Sequence, residues 1–82
     1  MIIKNPISTE KAIRMMNEEN KLIFIVDRKS RKPEIKAELE SLFNVKIIKV
    51  QTLIDRKGNK KAFVKFSPET PALDLATKLG LM

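Results

Sequence analysis

The chain has 82 residues, 43% of them apolar, and its 17 basic and 10 acidic side chains give a net charge of +7. This length accommodates one domain with one core, so we expect a single domain over residues 1–82. Because Cys and His are absent and glycine occurs only twice, the composition excludes disulfides, thiolate or imidazole metal sites, Cys- or His-based catalysis and glycine-rich phosphate loops.

The positive excess indicates an anionic polymer as the partner. A membrane fits less well, since the sequence has no apolar run of about 18 residues and no signal-peptide or lipidation motif. We therefore expect a cytoplasmic nucleic-acid-binding protein that is not an enzyme, does not insert into a membrane and uses neither a cofactor nor a metal.

The first part of the chain predicts a strand, a helix and a second strand. The short apolar stretch at residues 1–4 predicts an edge strand. Thr9 is a suitable N-cap for a helix over residues 9–17. The near-continuous apolar run at residues 21–26 predicts a strand that is covered on both faces.

The middle of the chain predicts a second helix over residues 31–43, because its apolar residues recur at helical spacing. That stripe consists of Ile35, Leu39, Leu42 and Phe43. A long strand over residues 45–54 follows. The alternation of apolar and polar residues along this strand places on one face Ile48, Val50 and Ile54.

A hairpin leads to the last strand. Its loop at residues 55–59 contains Gly58, which tolerates the positive φ of a tight turn. The returning strand, residues 60–66, has an inward face formed by Ala62, Val64 and Phe66.

A third helix ends the chain, with Thr70 as its predicted N-cap, Pro71 as its first residue and Gly80 just past its end. The element order is therefore β-α-β-α-β-β-α. Helices packed on an antiparallel or mixed sheet make this an α+β sandwich.

The positive charge is concentrated in two segments. Residues 21–33 carry a net charge of +4 and residues 44–66 a net charge of +6. Residues 1–20 are neutral, whereas residues 34–43 and 67–82 are net acidic, at −2 and −1. This polarity favours a basic binding surface over lysines that are spread for solubility.

The last strand carries the most informative surface, which consists of Lys61, Phe63 and Lys65. Lysines beside an aromatic ring can neutralise phosphates while the ring stacks on an unpaired base. The alternative is that Phe63 packs beneath a helix between solvated lysines.

The predicted RNA-binding residues also include the basic side chains of the loop before helix two and of the hairpin. A few further lysines on the other strands and on the helices complete the set. The full set is Lys4, Lys11, Arg28, Lys29, Arg31, Lys32, Lys36, Lys49, Arg56, Lys57, Lys60, Lys61, Phe63 and Lys65. The alternative for the loop and hairpin charges is an ordinary solvated surface.

Four blocks of the sequence resemble one known family. Residues 5–12, Asn-Pro-Ile-Ser-Thr-Glu-Lys-Ala, are similar to the Pro-x-x-Thr-Glu-Lys-Ala opening of the universal large-subunit ribosomal protein twenty-three family. Residues 20–27 resemble its first core strand, and residues 35–36 together with 42–46 resemble its central helix and the turn into the next strand. Residues 60–67, Lys-Lys-Ala-Phe-Val-Lys-Phe-Ser, resemble its signature block, in which the family usually has Leu at the position of Phe66.

The resemblance implies a four-stranded antiparallel sheet with three flanking helices. It also implies binding to large-subunit ribosomal RNA beside the mouth of the polypeptide exit tunnel, next to ribosomal protein twenty-nine, and docking of exit-site factors such as the signal recognition particle. In bacterial members the Glu of Thr-Glu-Lys contacts the trigger-factor chaperone, and that position is Glu10 here. The loop at residues 55–59 is shorter than the bacterial loop that reaches into the tunnel, which fits an archaeal or eukaryotic-type member. Eukaryotic members commonly have a basic N-terminal extension that this sequence lacks, so we expect the archaeal type.

Two compatible hypotheses of function follow. The first is a structural role in binding ribosomal RNA. The second is a docking platform for exit-site factors on the charge-neutral first helix, formed by Glu10, Lys11 and Arg14; the alternative for Glu10 is a carboxylate that only favours the helix start. A free-standing, chromatin-type nucleic-acid-binding protein is the alternative to a ribosomal one.

Overall fold

Strands and helices follow one another in the predicted order. The computed structural model describes residues 2–80, with the elements β1 Ile3–Pro6, α1 Glu10–Glu19, β2 Lys21–Val26, α2 Lys32–Phe43, β3 Ile47–Ile54, β4 Lys60–Phe66 and α3 Ala72–Lys78. The α+β class and the order β-α-β-α-β-β-α are confirmed. Of the predicted first strand, Met1 lies outside the described residues.

The four strands form one antiparallel sheet in the order β1-β2-β4-β3. β2 and β4 are the central strands, joined by consecutive pairs from Lys21↔Lys65 to Val26↔Lys60. The predicted cover on both faces of β2 is met by helices on one face alone, where Leu22, Phe24 and Val26 lie in the core. On the other face Ile23 is buried and Ile25 is half-buried, between the side chains of β1 and β4. Ile23, whose side chain lies on the opposite face from Phe24, is only 5% exposed.

All three helices pack on the same face of the sheet. The core contains Met16 of α1, Ile35 and Leu39 of α2, and Leu75 of α3. From the strands it contains Leu22, Phe24, Val26, Ile47, Val50, Ala62, Val64 and Phe66. These strand residues share one side of the pleat, and the predicted inward face of β4 is fully buried. The opposite side of the sheet therefore lies outside this core.

The ends of α1 and α2 are fixed by polar residues. The Thr9 hydroxyl accepts a hydrogen bond from the Ala12 amide at 3.2 Å, as the predicted N-cap requires. α1 continues two residues beyond the predicted end, to Glu19, and stops at Asn20, whose φ is +56°. α2 stops at Asn44, whose φ is +52°. Asn tolerates this left-handed conformation better than most residues with a side chain.

Asn20 also joins three elements of the fold. Its side-chain NH₂ group donates to the carbonyl oxygens of Phe66, Ser67 and Thr70 at 3.0–3.3 Å. Its side-chain oxygen accepts from the Ala72 amide at 2.6 Å. The end of α1 is thereby held to the end of β4 and to the first turn of α3, and the amide of Asn20 satisfies backbone groups that would otherwise lack a partner.

The prediction that Ile48, Val50 and Ile54 share one face of β3 is wrong at Ile48. The pairing with β4 shifts by one residue between Ile47 and Lys49, and such a bulge reverses the alternation of side chains on its N-terminal side. Ile47 is therefore in the core at 6% exposure, while Ile48 is 56% exposed. Ile54 keeps the register of Val50 but is exposed at the end of this edge strand.

Two further details of the helices differ from the prediction. α3 begins at Ala72, after Pro71 in an extended conformation, and the Thr70 hydroxyl accepts from the Lys46 amide instead of capping the helix. Leu42, predicted to lie in the apolar stripe of α2, is exposed. A tertiary hydrogen bond engages the Thr70 hydroxyl, and the orientation of α2 on the sheet leaves Leu42 exposed. Local periodicity contains neither kind of information.

We expect Asn20→Ala to lower the free energy of unfolding by about 3 kcal/mol, because the cross-links to Phe66, Thr70 and Ala72 are lost together with the residue that suits a left-handed backbone. Asn44→Ala is the matched control. It changes the same residue type in the same conformation and should cost about 1 kcal/mol. Urea denaturation of both variants measures the difference, and equal losses would show that the cross-links contribute nothing.

Candidate nucleic-acid interface

The face of the sheet opposite the helices is here termed the open face. Its side chains come from all four strands, and are Asn5, Lys21, Ile23, Ile25, Lys61, Phe63, Lys65, Lys49, Gln51 and Leu53. None of the strand residues within residues 2–80 is acidic. The open face is therefore a surface of lysines and uncharged side chains.

Three lysines stand in one row across the open face. Lys65 of β4 pairs with Lys21 of β2 on one side and with Lys49 of β3 on the other. Directly opposed like charges destabilise a sheet. Lys21 has a compensating carboxylate, since its ammonium lies 3.3 Å from Glu19. Within residues 2–80, neither Lys49 nor Lys65 forms a salt bridge.

Phe63 occupies the centre of the open face. It pairs with Ile23 of β2 and with Gln51 of β3, and its side chain is half-buried. The alternative of packing beneath a helix is wrong, because the ring lies on the side of the sheet away from the helical core. A partly exposed ring between Lys61 and Lys65 has the geometry of a stacking platform.

The two basic segments meet at one end of the sheet, here termed the basic end, which comprises residues 28–32 and 56–60. The Lys60 ammonium donates to the Ser30 carbonyl oxygen at 2.6 Å. A guanidinium nitrogen of Arg28 lies 3.7 Å from the position that a β-carbon at Gly58 would occupy. The loop before α2 and the hairpin are thus in contact, although they are distant in sequence.

One carboxylate organises each loop of the basic end. Asp55 Oδ1 accepts from the Lys57 and Asn59 amides at 2.9 Å, and Asp27 Oδ1 accepts from the Lys29 amide at 3.2 Å. These Asp side chains fold the turns. The remaining basic side chains are exposed: Arg28, Lys29, Arg31, Lys32, Arg56 and Lys57.

The structure does not bring every predicted residue to this surface. Lys11 and Lys36 are exposed on α1 and α2, in the helical layer, and Lys4 is exposed on the edge strand β1. Lys60 is half-buried and engaged by Ser30. Lys21 was missed by the sequence argument. Its alternation with Leu22 predicts the correct face, but only the strand register shows that it stands beside Lys65.

The predicted docking residues lie together on α1. Glu10, Lys11 and Arg14 line one shallow depression with Thr9. The Glu10 carboxylate lies 4.0 Å from the Arg14 guanidinium, with side-chain exposures of 93% and 66%. A pair this exposed contributes little to stability, so both side chains remain accessible to a partner.

The fold and its charges define a class: a small basic α+β protein with one sheet face suited to an anionic polymer. The family model described as Ribosomal protein L23 matches residues 1–73. A curated relative, "Large ribosomal subunit protein uL23" of the archaeon Pyrobaculum aerophilum, is 49% identical over 81 residues, which cover 99% of this chain and 100% of the relative. The chain therefore belongs to the ribosomal protein L23 family.

Family membership makes the chain a structural protein of the large ribosomal subunit and a part of the cytoplasmic ribosome. The resemblance in the sequence, including its archaeal type, is confirmed. Two separate findings concern residues 2–80 alone: no helix there is long and apolar enough to cross a membrane, and no group of His, Cys, Asp or Glu there is arranged to hold a metal ion.

We expect Lys60→Met to loosen the basic end without removing the fold, because the side chain loses its hydrogen bond to Ser30 but keeps its apolar stem. Amide hydrogen exchange at Ser30, whose N–H donates to the Asp27 carbonyl, should accelerate several-fold. Lys61→Met removes the same charge from the open face and serves as the control. Unchanged exchange in Lys60→Met would contradict a role for Lys60 in joining the two segments.

Proposed function

We propose that the chain binds large-subunit ribosomal RNA through its open face and its basic end, beside the mouth of the polypeptide exit tunnel. Membership of a large-subunit family supports the ribosomal setting. The location at the tunnel mouth rests on the resemblance in the sequence alone. We also infer that the role is structural and involves no catalysed reaction.

The row formed by Lys21, Lys65 and Lys49 carries this proposal. Three opposed lysines with a single acidic neighbour, Glu19, lower the stability of the free sheet. A polyanion laid across the row would convert this repulsion into attraction and release the counterions condensed on its phosphates. The arrangement is unfavourable for a protein that works alone and favourable for one that works against a phosphate backbone.

The basic end extends the same surface. Its exposed arginines and lysines sit on two loops that are held together by Lys60 and Ser30. Because these loops have fixed turns, they would recognise the shape of a folded RNA backbone more than its sequence. Phe63 adds a ring on which an unpaired base at a loop or bulge can stack.

We expect the triple variant Lys49→Gln, Lys61→Gln, Lys65→Gln to lose affinity for purified large-subunit RNA by at least about tenfold. The slope of log affinity against log salt should become shallower by about 2 to 3, at about 0.9 per phosphate contact. Filter binding over a range of NaCl concentrations measures both quantities.

The control for this experiment carries the same change of charge on the helices: Lys11→Gln, Lys36→Gln, Lys78→Gln. It should keep the slope of the unaltered chain. The open-face variant should also unfold at a higher urea concentration than the unaltered chain, because it relieves the lysine repulsion. Equal salt slopes for the two triple variants would contradict the assignment of the open face to RNA.

We further propose that α1 contributes to docking of exit-site factors, such as the signal recognition particle, while the sheet holds RNA. The supporting observation is the depression lined by Glu10, Lys11 and Arg14, which lies in the helical layer rather than on the open face. Contact with neighbouring ribosomal protein twenty-nine is proposed from the resemblance and is not assigned to particular residues. A chromatin-type binder is disfavoured by family membership, and co-sedimentation with large subunits separates the two.

We expect Glu10→Ala to weaken binding of the signal recognition particle to ribosomes by about three- to tenfold, the effect of losing one interface contact worth on the order of 1 kcal/mol. Glu18→Ala removes an exposed carboxylate from the last turns of the same helix and is the control. Ribosome-pelleting titrations compare the two variants. Equal binding would leave Glu10 as a side chain that only favours the helix start.

A further inference from the structure

The β3 edge of the sheet is open to another strand. β3 is the last strand in the order β1-β2-β4-β3 and carries three exposed apolar side chains, Ile48, Leu53 and Ile54. We propose that two copies of the free chain associate through this edge, β3 against β3, to form one continuous eight-stranded antiparallel sheet.

The backbone of β3 provides the hydrogen-bonding groups for this pairing. The Asp55 amide donates to the Asn59 carbonyl on the β4 side. Hydrogen-bonding direction alternates along an antiparallel strand, so the amides and carbonyls of Val50, Thr52 and Ile54 point away from β4. Unpaired edge groups of this kind are a template for another strand.

The opposite edge of the sheet is protected. In β1 the Ile3 amide donates to the Glu38 carboxylate at 2.9 Å, and Pro6 has no amide hydrogen to donate. On the β3 edge, among residues 2–80, only the start is covered in this way, by a 3.2 Å hydrogen bond from the Ile47 amide to the Glu40 carboxylate. The two edges therefore differ in their capacity to add a strand.

The sequence of β3 is complementary to itself in one register. With Thr52 on a two-fold axis, Val50 lies opposite Ile54 of the second copy, and Lys49 lies opposite Asp55 of the second copy. Within residues 2–80, neither Lys49 nor Asp55 forms a salt bridge. An antiparallel pair of opposite charges on one face stabilises a sheet, and the two-fold symmetry forms the pair twice.

The pairing continues the open face from one copy to the next, because side chains directly opposite each other in an antiparallel pair lie on the same side. One added strand pair is a small interface, so the dimer should be weak. Each copy carries a net charge of +7, and their mutual repulsion is screened by salt. Added salt should therefore strengthen self-association, whereas it weakens RNA binding.

Sedimentation velocity tests the proposal on the full chain without RNA, from about 5 µM to about 500 µM protein and at about 0.1 M and about 0.5 M NaCl. We expect a monomer–dimer equilibrium that shifts toward dimer at the higher salt. A monomer at every concentration and salt would overturn the proposal, whatever the affinity of the chain for RNA.

Two matched pairs of variants locate the interface. The first pair places a lysine at an exposed leucine, either on β3 (Leu53→Lys, 56% exposed) or on α3 (Leu73→Lys, 46% exposed). Only Leu53→Lys should weaken the dimer, by about tenfold or more. Lys49→Glu should also weaken it, although it lowers the net charge, whereas Lys11→Glu on α1 should not. Equal effects within either pair would overturn the assignment to β3.

Discussion

The fold depends on one constraint: all its helices share one face of the sheet. Met16, Ile35, Leu39 and Leu75 cover the inner side chains of the strands, and a chain of 82 residues has little apolar surface left for a second layer. The other face must therefore be stable while open to solvent or to a partner. Ile23 and Phe63 shield each other there as a cross-strand pair. The open face is a consequence of chain length and connectivity, and it is the surface on which the proposed function rests.

Stability and function are divided between the two layers. The acidic side chains with tertiary roles serve the fold: Glu38 and Glu40 accept backbone amides at the sheet edges. Asn20 joins α1, β4 and α3. The strands, in contrast, contain within residues 2–80 only basic and uncharged side chains, including the unfavourable row centred on Lys65. The helical layer and its hydrogen bonds stabilise the domain enough to tolerate this repulsion.

Sequence patterns predicted the elements and their order, because periodicity and caps are local properties. They also predicted Lys61, Phe63 and Lys65 as one surface, since alternation along a single strand needs no knowledge of its neighbours. They failed at Ile48, where the bulge depends on pairing with β4. They could not find the proximity of Lys21 to Lys65, or of Lys60 to Ser30, because register and loop contact are set by the assembled fold.

The central claim is that the open face lies against ribosomal RNA while the helical layer carries no RNA contact of comparable extent. Acetylation of lysines, quantified by mass spectrometry in the free chain and in intact large subunits, measures this at each residue. Lys49, Lys61 and Lys65 should become strongly protected in the subunit, and Lys11 and Lys78 should keep most of their reactivity. Full reactivity of Lys49 and Lys65 in the subunit would contradict the account.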